Sequence, residues 1–349
     1  MIVYLGCNTD EAHPNGLKAL ELDEATGAMS VVAERPVSNA IYQGLSPDGN
    51  CLYSCTGEGI ASFRADGLEM VDSVSLGNNV CHVAAMPDGK HVVFADYLGG
   101  FAGSVEVADG TFGTVVKHQH SGSGPNLPRQ DKAHCHQAVP TPDGRGYCVV
   151  DLGLDQIVEY PSGRVFRTSP AGAGPRHLLF HPNGRLAFLV YELGNLVSSL
   201  AWSPADGFKL LDTRPTLTDT HDSIVPYFHD STISHSSCLA AAIRFTPDGT
   251  RVVVSNRGEN SLVVFDFDEA AGKLSFKART MLSGDWPRDF MFINDALALV
   301  ACERSGEVLA LRYDPSAGSF AQAVVLGGLH RPVALQPQPR STIISSRPY

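Results

Sequence analysis

The sequence predicts an all-β fold: a seven-bladed β-propeller of four-stranded antiparallel blades, with the last blade closed by both termini. Two observations predict it. A Pro-Asp-Gly turn between apolar runs recurs along the chain, and the copies are spaced by about one propeller blade. Composition agrees, because 34 Gly and 22 Pro among 349 residues indicate many tight turns.

Each copy of the repeat predicts a β-hairpin. Proline and the following Asp-Gly suit a tight turn, and the flanking runs, rich in Val, Leu, Phe and Tyr, are too short for helices. The turn prolines are Pro47, Pro87, Pro142, Pro182, Pro247 and Pro337. A further copy, FMFINDALALVACER, lacks the proline. The 290 residues from Pro47 to Pro337 divide into six steps of about 48, which predicts seven blades.

The two ends of the chain predict how the ring closes. Only 12 residues follow Pro337, whereas three strand candidates precede the first repeat, at Ile2–Leu5, Gly16–Asp23 and Ala28–Ala33. Pairing Val333–Gln336 with Ile2–Leu5 would complete the last blade and leave no open sheet edge. We therefore expect a single propeller domain over residues 1–349.

Charge and apolar patterning exclude several classes of partner. The chain has 37 acidic and 26 basic residues, a net charge of −11, which argues against a general nucleic-acid or polybasic membrane surface. No apolar run reaches the roughly 18–20 residues that span a bilayer. The start, MIVYLGCNTDEAH, lacks a basic region and does not resemble a secretory signal. The eight cysteines form no CxxC pair, so we expect reduced, mostly buried thiols and a cytoplasmic protein of unknown oligomeric state.

Polar residues recur at two positions of the repeat. About nine or ten residues after the turn stand Asp96, Asp151, Glu192, Arg257 and Glu303. About five or six residues before it stand His82, His136, Arg176, His177 and Arg288. Equivalent positions of successive blades face the central channel, so these side chains should converge there. A merely water-filled polar channel is the alternative interpretation.

Two segments lengthen the repeat. They lie around 117–136 and 212–242, and together they hold seven of the 13 histidines. We expect these polar loops to cover one mouth of the channel, because functional residues often lie on such loops. Solvated loops without a function are the alternative.

Seven segments resemble a known family. They are GLKALELDEATGAM (16–29), KAHCHQ (132–137), DLGLDQI (151–157), GAGPRHLLFHPNGR (172–185), YELGNLVSSL (191–200), IRFTPDGTRVVVSNRGENSLVVF (243–265) and WPRDF (286–290). The chain resembles the seven-bladed lactonases typified by bacterial 6-phosphogluconolactonase, with fungal carboxymuconate-lactonizing enzymes as relatives. Relatives often carry an acidic residue at the position of Ala242, which leaves the substrate open.

The resemblance implies a site and an activity. The implied catalytic residues are His134, His136, Arg176 and Glu192. The implied substrate-binding residues are Arg257, Arg288, Arg244, His177 and Asp151. The implied reaction is hydrolysis of an anionic sugar lactone, with 6-phosphogluconolactone of the pentose phosphate pathway preferred. The resemblance implies no partner other than the small-molecule substrate, and it implies no cofactor.

These residue types suit lactone hydrolysis. A histidine can take a proton from water near neutral pH, and His134 and His136, two apart on a strand, should project to the same side. Arg176 could stabilise the oxyanion or bind an anionic group, and Glu192 could hold an arginine or transfer a proton. Four arginines at channel positions predict an anionic ligand. Structural ion pairs, for example with Asp289 or Glu303, are the alternative for some of them.

Other mechanisms and functions have weaker signals. HxH at 134–136 could bind a metal, but HExxH and CxxC are absent, as are a P-loop, GxGxxG and GxSxG. We therefore predict that the site holds no metal and that the reaction requires no metal and no cofactor. The remaining alternatives are a carboxymuconate cyclase-type isomerase and a non-catalytic interaction propeller. Aromatic content of 8% and the His, Arg and Glu at channel positions favour an enzyme.

Overall fold

The computed structural model describes residues 1–77, 80–217 and 238–339. Over these ranges the chain forms seven four-stranded antiparallel sheets and contains no helix, so the predicted seven-bladed propeller is confirmed. The described residues thus include no helix long and apolar enough to cross a membrane.

The strands are numbered in chain order, and each blade is given from its innermost strand outward. Blade 1 contains β4 (Gln43–Leu45), β5 (Cys51–Cys55), β6 (Gly59–Arg64) and β7 (Met70–Ser75). Blade 2 contains β8 (Val80–Ala85), β9 (His91–Asp96), β10 (Phe101–Ala108) and β11 (Thr111–Gln119). Blade 3 contains β12 (Cys135–Pro140), β13 (Tyr147–Asp151), β14 (Gln156–Tyr160) and β15 (Arg164–Arg167). Blade 4 contains β16 (Pro175–Phe180), β17 (Leu186–Tyr191), β18 (Leu196–Ser203) and β19 (Gly207–Pro215).

The remaining blades follow the same order. Blade 5 contains β20 (Leu239–Phe245), β21 (Arg251–Arg257), β22 (Ser261–Phe267) and β23 (Leu274–Met281). Blade 6 contains β24 (Pro287–Asn294), β25 (Leu297–Cys302), β26 (Glu307–Asp314) and β27 (Ser319–Leu326). Blade 7 contains β28 (Pro332–Pro337), β1 (Ile2–Cys7), β2 (Leu17–Leu22) and β3 (Met29–Arg35).

Blade 7 closes the ring as the sequence predicts. Its innermost strand, β28, comes from the C-terminal end of the chain, and the other three strands come from the N-terminal end. Strand β1 pairs antiparallel with β28, with Val3 opposite Pro337 and Leu5 opposite Leu335. This pairing covers one edge of β1 and one edge of β28, and it joins the first and last parts of the chain.

Apolar contacts between neighbouring blades form the core. The middle strands are buried on both faces, because each blade packs against two others: β5 is buried along its whole length, whereas the outer strand β7 is largely exposed. Tyr53 of blade 1 belongs to the same apolar cluster as Val92 and Phe94 of blade 2. All eight cysteines are free and six of them are buried, as the sequence predicts.

The direction of the strands determines which loops share one end of the channel. The turns that join the first and second strands of each blade lie at one end, and their glycines have positive φ, 74° at Gly49 and 65° at Gly89. The connections between second and third strands, and those leading to the next blade, lie at the opposite end, which we call the site end. The long loop from 120 to 134 is at the site end. Of the second predicted loop, residues 218–237 lie outside the described residues.

Candidate active site

A buried carboxylate stands at the centre of the site end. Glu192 directly follows β17, and three guanidinium groups contact it: Arg176 Nε at 3.0 Å and Arg257 Nη2 at 3.0 Å from Oε2, and Arg129 Nη2 at 2.6 Å from Oε1. His136 Nε2 lies 3.7 Å from Oε2. Blades 3, 4 and 5 and the 120–134 loop thus converge on one side chain. We call these five residues the Glu192 cluster.

The arginines keep Glu192 ionised. Burial alone would raise the pKa of this carboxyl, but Arg257, Arg129 and Arg176 outweigh it and hold the pKa well below its usual range. Burial and the neighbouring Arg257 lower the pKa of Arg176 to about 9, so its guanidinium is still charged at neutral pH. The cluster therefore has a fixed charge distribution at physiological pH.

A second buried carboxylate holds two more arginines. Glu303 Oε2 lies 3.2 Å from Arg288 Nη1, and Oε1 lies 2.6 Å from Arg331 Nη2. Asn8 Nδ2 donates to Oε1 at 3.0 Å. Burial raises the pKa of Glu303, but Arg288 and Arg331 outweigh it and lower the pKa overall. Glu303, which follows β25 of blade 6, therefore joins that blade to two segments of blade 7. These are Asn8, which follows β1, and Arg331, which precedes β28.

The two carboxylates do not balance the cations around them. Among the residues that the structure describes, five guanidinium groups contact Glu192 and Glu303, which leaves three positive charges in excess. The side chains of Arg176 and Arg257 are only 4% exposed, whereas those of Arg288 and Arg129 are 27% and 31% exposed. The buried pair can therefore fix the geometry, and the more exposed arginines can reach a ligand.

A row of neutral histidines lies beside the arginines. The ring centroids of His136 and His177 are 5.3 Å apart, and those of His177 and His82 are 5.7 Å apart. Burial and nearby arginines lower the pKa of all three, to about 3 for His82. These imidazoles are therefore neutral at pH 7 and able to accept a proton. His136 Nδ1 is buried and has no hydrogen-bond partner among the described residues.

The structure distinguishes the two histidines of the HxH motif. His134 stacks on Tyr97, and its ring nitrogens bond to Tyr97 O and to Asp131 Oδ1, each at 2.9 Å. His136 also contacts Tyr97, and their ring centroids are 5.6 Å apart. Of the two histidines, only His136 contacts Glu192. Strand β12 starts after His134, and a bulge between Cys135 and Gln137 breaks the regular alternation on which the expected common orientation depended.

Arg244 forms a separate, balanced ion pair. Its Nη2 lies 2.7 Å from Asp289 Oδ1, and Asp289 Oδ2 accepts a hydrogen bond from Leu335 N at 3.0 Å. Burial lowers the pKa of Arg244, but Asp289 and the hydroxyl of Tyr42 outweigh it and raise the pKa overall. Arg244 therefore matches the structural ion pair that was the alternative interpretation for some of the arginines.

Asp151 does not join the Glu192 cluster. Its Oδ1 accepts hydrogen bonds from His134 N at 2.9 Å and Leu154 N at 3.2 Å, and its Oδ2 lies 2.7 Å from His120 Nδ1. None of these partners belongs to the cluster. A substrate-binding role for Asp151 stays a prediction that this geometry does not favour.

Ala242 faces away from the channel. It is fully buried and packs in the apolar cluster that blades 5 and 6 share, together with Phe290 and Val300. The main chain beside it is part of the site, because Arg176 Nη1 donates to Ala241 O at 2.7 Å. Ala242 therefore contributes an apolar contact between blades 5 and 6.

Sequence reasoning missed Arg129 and Trp286. The polar 120–134 loop was the only signal for Arg129, and it did not single out a residue. Trp286 has a φ of 68°, rare for a bulky residue, and its ring lies 5.5 Å from the Arg257 guanidinium and 3.3 Å from that of Arg304. Trp286 therefore packs on the buried arginine that holds Glu192.

A small cavity adjoins these groups. His136, Arg176, His177, Arg288 and Asp289 line it, and its volume of about 10 Å³ has room for about one water molecule. His136, whose buried Nδ1 has no hydrogen-bond partner among the described residues, is one of the residues that line the cavity. The site thus provides a water-sized space between a neutral imidazole and guanidinium groups.

Comparison with known proteins identifies the family. Residues 2–335 match the family model described as "Lactonase, 7-bladed beta-propeller". The chain belongs to this lactonase family. The resemblance seen in the sequence is therefore confirmed, and family membership supports lactone hydrolysis in general.

Three similar proteins match almost the whole chain. The 6-phosphogluconolactonase of Bacillus subtilis strain 168 is 30% identical over 341 residues, which covers 91% of this chain and 92% of that protein. A Lactobacillus plantarum protein of known structure is 30% identical, with a TM-score of 0.84 and coverage of 96% and 98%. The periplasmic gluconolactonase PpgL of Pseudomonas aeruginosa is 25% identical, with a TM-score of 0.85 and coverage of 97% and 99%.

Proposed function

We propose that this lactonase hydrolyses an anionic sugar lactone, with 6-phosphogluconolactone as the preferred substrate. The observation that carries the proposal is the excess of five guanidinium groups over two carboxylates at the site end, among the described residues. A cationic site in a chain of net charge −11 attracts a ligand of opposite charge. The name of the B. subtilis relative agrees with this substrate.

In this proposal the ring of His136 is the general base. A water molecule in the adjoining cavity would lie beside the neutral imidazole, which takes one proton as the water oxygen attacks the lactone carbonyl. Glu192 Oε2, 3.7 Å from Nε2, stabilises the imidazolium that forms. An anionic substrate adds negative charge and so raises the pKa of His136 in the complex, which makes the ring a better base than it is in the free protein.

Arg176 is the proposed oxyanion partner. Its Nε is fixed on Glu192 and its Nη1 on Ala241 O, so the guanidinium is held in place before the substrate arrives. Such a fixed donor stabilises the negative charge that develops on the carbonyl oxygen. The tetrahedral intermediate then expels the ring oxygen, and the imidazolium returns its proton to that oxygen. Lactone and water thus give the open-chain hydroxy acid.

The more exposed arginines are the proposed contacts for the distal anionic group. Arg129, Arg288 and Arg331 have side chains that are 31%, 27% and 54% exposed, and each already contacts one of the two carboxylates. Guanidinium groups bind phosphate or carboxylate oxygens bidentately. This arrangement would also suit a carboxylated muconolactone, so the lactonizing isomerase is the second candidate.

An assay with paired substrates tests the proposal. Purified, chelator-treated protein is given 6-phosphogluconolactone, gluconolactone and a carboxymuconolactone, and spontaneous ring opening is subtracted. We expect the phosphorylated lactone to have the highest kcat/KM. Equal hydrolysis of the two sugar lactones would contradict the anion argument. Conversion of the muconolactone to its isomeric open-chain diene acid, without uptake of water, would favour the isomerase. A cytoplasmic location stays a prediction from the sequence.

A further inference from the structure

A second cluster of reactive side chains lies in blade 3, outside the Glu192 cluster. His120 Nδ1 is 2.7 Å from Asp151 Oδ2, Cys135 Sγ is 3.4 Å from the same nitrogen, and Sγ is 3.9 Å from Oδ2. Cys135 and Asp151 are fully buried, and His120 is 8% exposed. The proposed hydrolysis uses none of the three.

The geometry excludes a Cys-His-Asp nucleophile relay. In such a relay the base contacts the nucleophile through one ring nitrogen and the orienting acid through the other. Here Nδ1 of His120 faces both Cys135 and Asp151, and Nε2 lies 3.0 Å from the hydroxyl of Tyr160. Burial and the nearby Asp151 also raise the pKa of the thiol well above its usual range. The three groups instead converge on one common point.

We propose that His120, Cys135 and Asp151 form a site for a thiophilic divalent cation of the zinc type. Zinc bonds of about 2.3 Å to sulfur and about 2.0–2.2 Å to nitrogen and oxygen place tetrahedral ligands roughly 3.3–3.6 Å apart. The observed separations of 2.7, 3.4 and 3.9 Å bracket this range. Side-chain shifts of less than about 1 Å would therefore admit the ion, which displaces the proton of the thiol while the ring proton moves from Nδ1 to Nε2.

The surroundings match those of a metal site. Histidine ligands of metals usually donate their second ring N–H to a fixed acceptor, and the Tyr160 hydroxyl is placed to accept it here. Asp151 Oδ1 accepts two main-chain N–H bonds, so Oδ2 is held toward the common point. A surface cavity of about 300 Å³, lined by His120, Gly122 and Tyr160, offers a route of entry and space for a water ligand.

A cation at this point would join the long loop to blade 3. His120 begins the 120–134 loop, Cys135 follows its last residue, and Asp151 ends β13. The same loop carries Arg129 to Glu192. We therefore expect metal loading to slow hydrogen exchange of the amides of residues 121–123, which are exposed residues of this loop.

Cobalt titration of the full-length protein tests the site. Reduced, chelator-treated protein is titrated with Co²⁺ and then with Zn²⁺. We expect one equivalent of Co²⁺ to give thiolate-to-cobalt charge-transfer absorption, Zn²⁺ to displace it, and the release of protons on binding. The Cys135→Ala variant should lose the absorption. The Cys148→Ala variant, which removes an equally buried thiol from the neighbouring strand, should keep it.

Two further variants keep the test decisive. His120→Gln can still bond to Asp151 but is a poorer metal ligand, so it should weaken Co²⁺ affinity at least tenfold without a change in Tm of the metal-free protein. His13→Ala removes a ligand from another group of possible ligands, Asp10, His13 and His330, and should leave the thiolate absorption unchanged. No absorption in the wild type, or absorption that persists in Cys135→Ala, overturns the proposal whatever the outcome of the lactone assays.

Discussion

Two buried groups of ion pairs in the same channel use arginine in different ways. Arg244 and Asp289 form a one-to-one pair at 2.7 Å, and the second carboxylate oxygen is taken by a main-chain N–H. At Glu192, three guanidinium groups surround one carboxylate. The first arrangement is complete in itself. The second leaves positive charge that an anionic substrate could neutralise. The number of arginines alone therefore does not distinguish the structural ion pair from the proposed ligand contacts.

The largest expected effect is on the proposed base, His136, in the Glu192 cluster. His136→Ala should lower kcat by about 10²–10⁴-fold with little change in KM, because proton transfer acts only in the transition state. His134→Ala is the matched control, since both of its ring nitrogens are used by Tyr97 and Asp131. Steady-state kinetics of the two variants decide which of the two histidines acts as the base. A large loss of kcat in His134→Ala with none in His136→Ala would reverse the assignment.

Removing the central carboxylate should break the Glu192 cluster. Glu192→Gln keeps the size of the side chain but leaves three guanidinium groups without their counter-charge, so we expect a loss of about 3–5 kcal/mol in the free energy of unfolding. Asp289→Asn leaves only Arg244 unpaired and should cost less. Urea denaturation measures both. Equal losses in the two variants would show that the crowding of cations at Glu192 has no energetic consequence.

A smaller effect is expected for Arg288, one of the proposed ligand contacts. Arg288→Ala should raise KM about 10–100-fold for a phosphorylated lactone, because a charge-assisted hydrogen bond contributes about 1.5–3 kcal/mol. Arg185→Ala is the control, since Arg185 is exposed in a turn at the opposite end of the channel. A KM that changes as much in the control as in Arg288→Ala would indicate general electrostatics rather than a contact.

The smallest effect, expressed per pH unit, is a pH dependence of stability. The folded-state pKa of His82 is about 3, below the unfolded value of about 6.5, so the unfolded chain binds more protons between these values. Stability should therefore rise with pH from about 3 to 6.5, by up to about 1.4 kcal/mol per pH unit for this one ring. His82→Gln should reduce the slope by one proton. An unchanged slope of the unfolding free energy against pH would contradict the neutral buried ring.

Repeat geometry explains what could be predicted from the sequence. The turn spacing predicts seven blades, and equivalent repeat positions place Arg176, Glu192 and Arg257 in contact although 16 and 65 residues separate the arginines from Glu192. Closure of blade 7 follows from unmatched strands at both ends. These predictions depend on main-chain geometry that repeats from blade to blade, and the recurring turn and strand patterns of the sequence specify that geometry.

The remaining features depend on local departures from the repeat. The bulge after Cys135 gives His134 and His136 different contacts, and a residue-by-residue alternation rule does not detect it. Arg129 reaches Glu192 from a loop without periodicity. Trp286 reaches Arg257 through a main-chain conformation that its residue type disfavours. In each case tertiary contacts determine the position.

The selectivity between paired lactones tests the central claim most directly. The ratio of kcat/KM for 6-phosphogluconolactone to that for gluconolactone is measured in the wild type and in the Arg129→Ala, Arg288→Ala double variant. If the exposed arginines bind the distal anion, the wild type should prefer the phosphorylated lactone at least about tenfold, and the double variant should lose most of that preference. A ratio that is the same in both proteins would contradict the claim that the unbalanced arginines recognise the substrate.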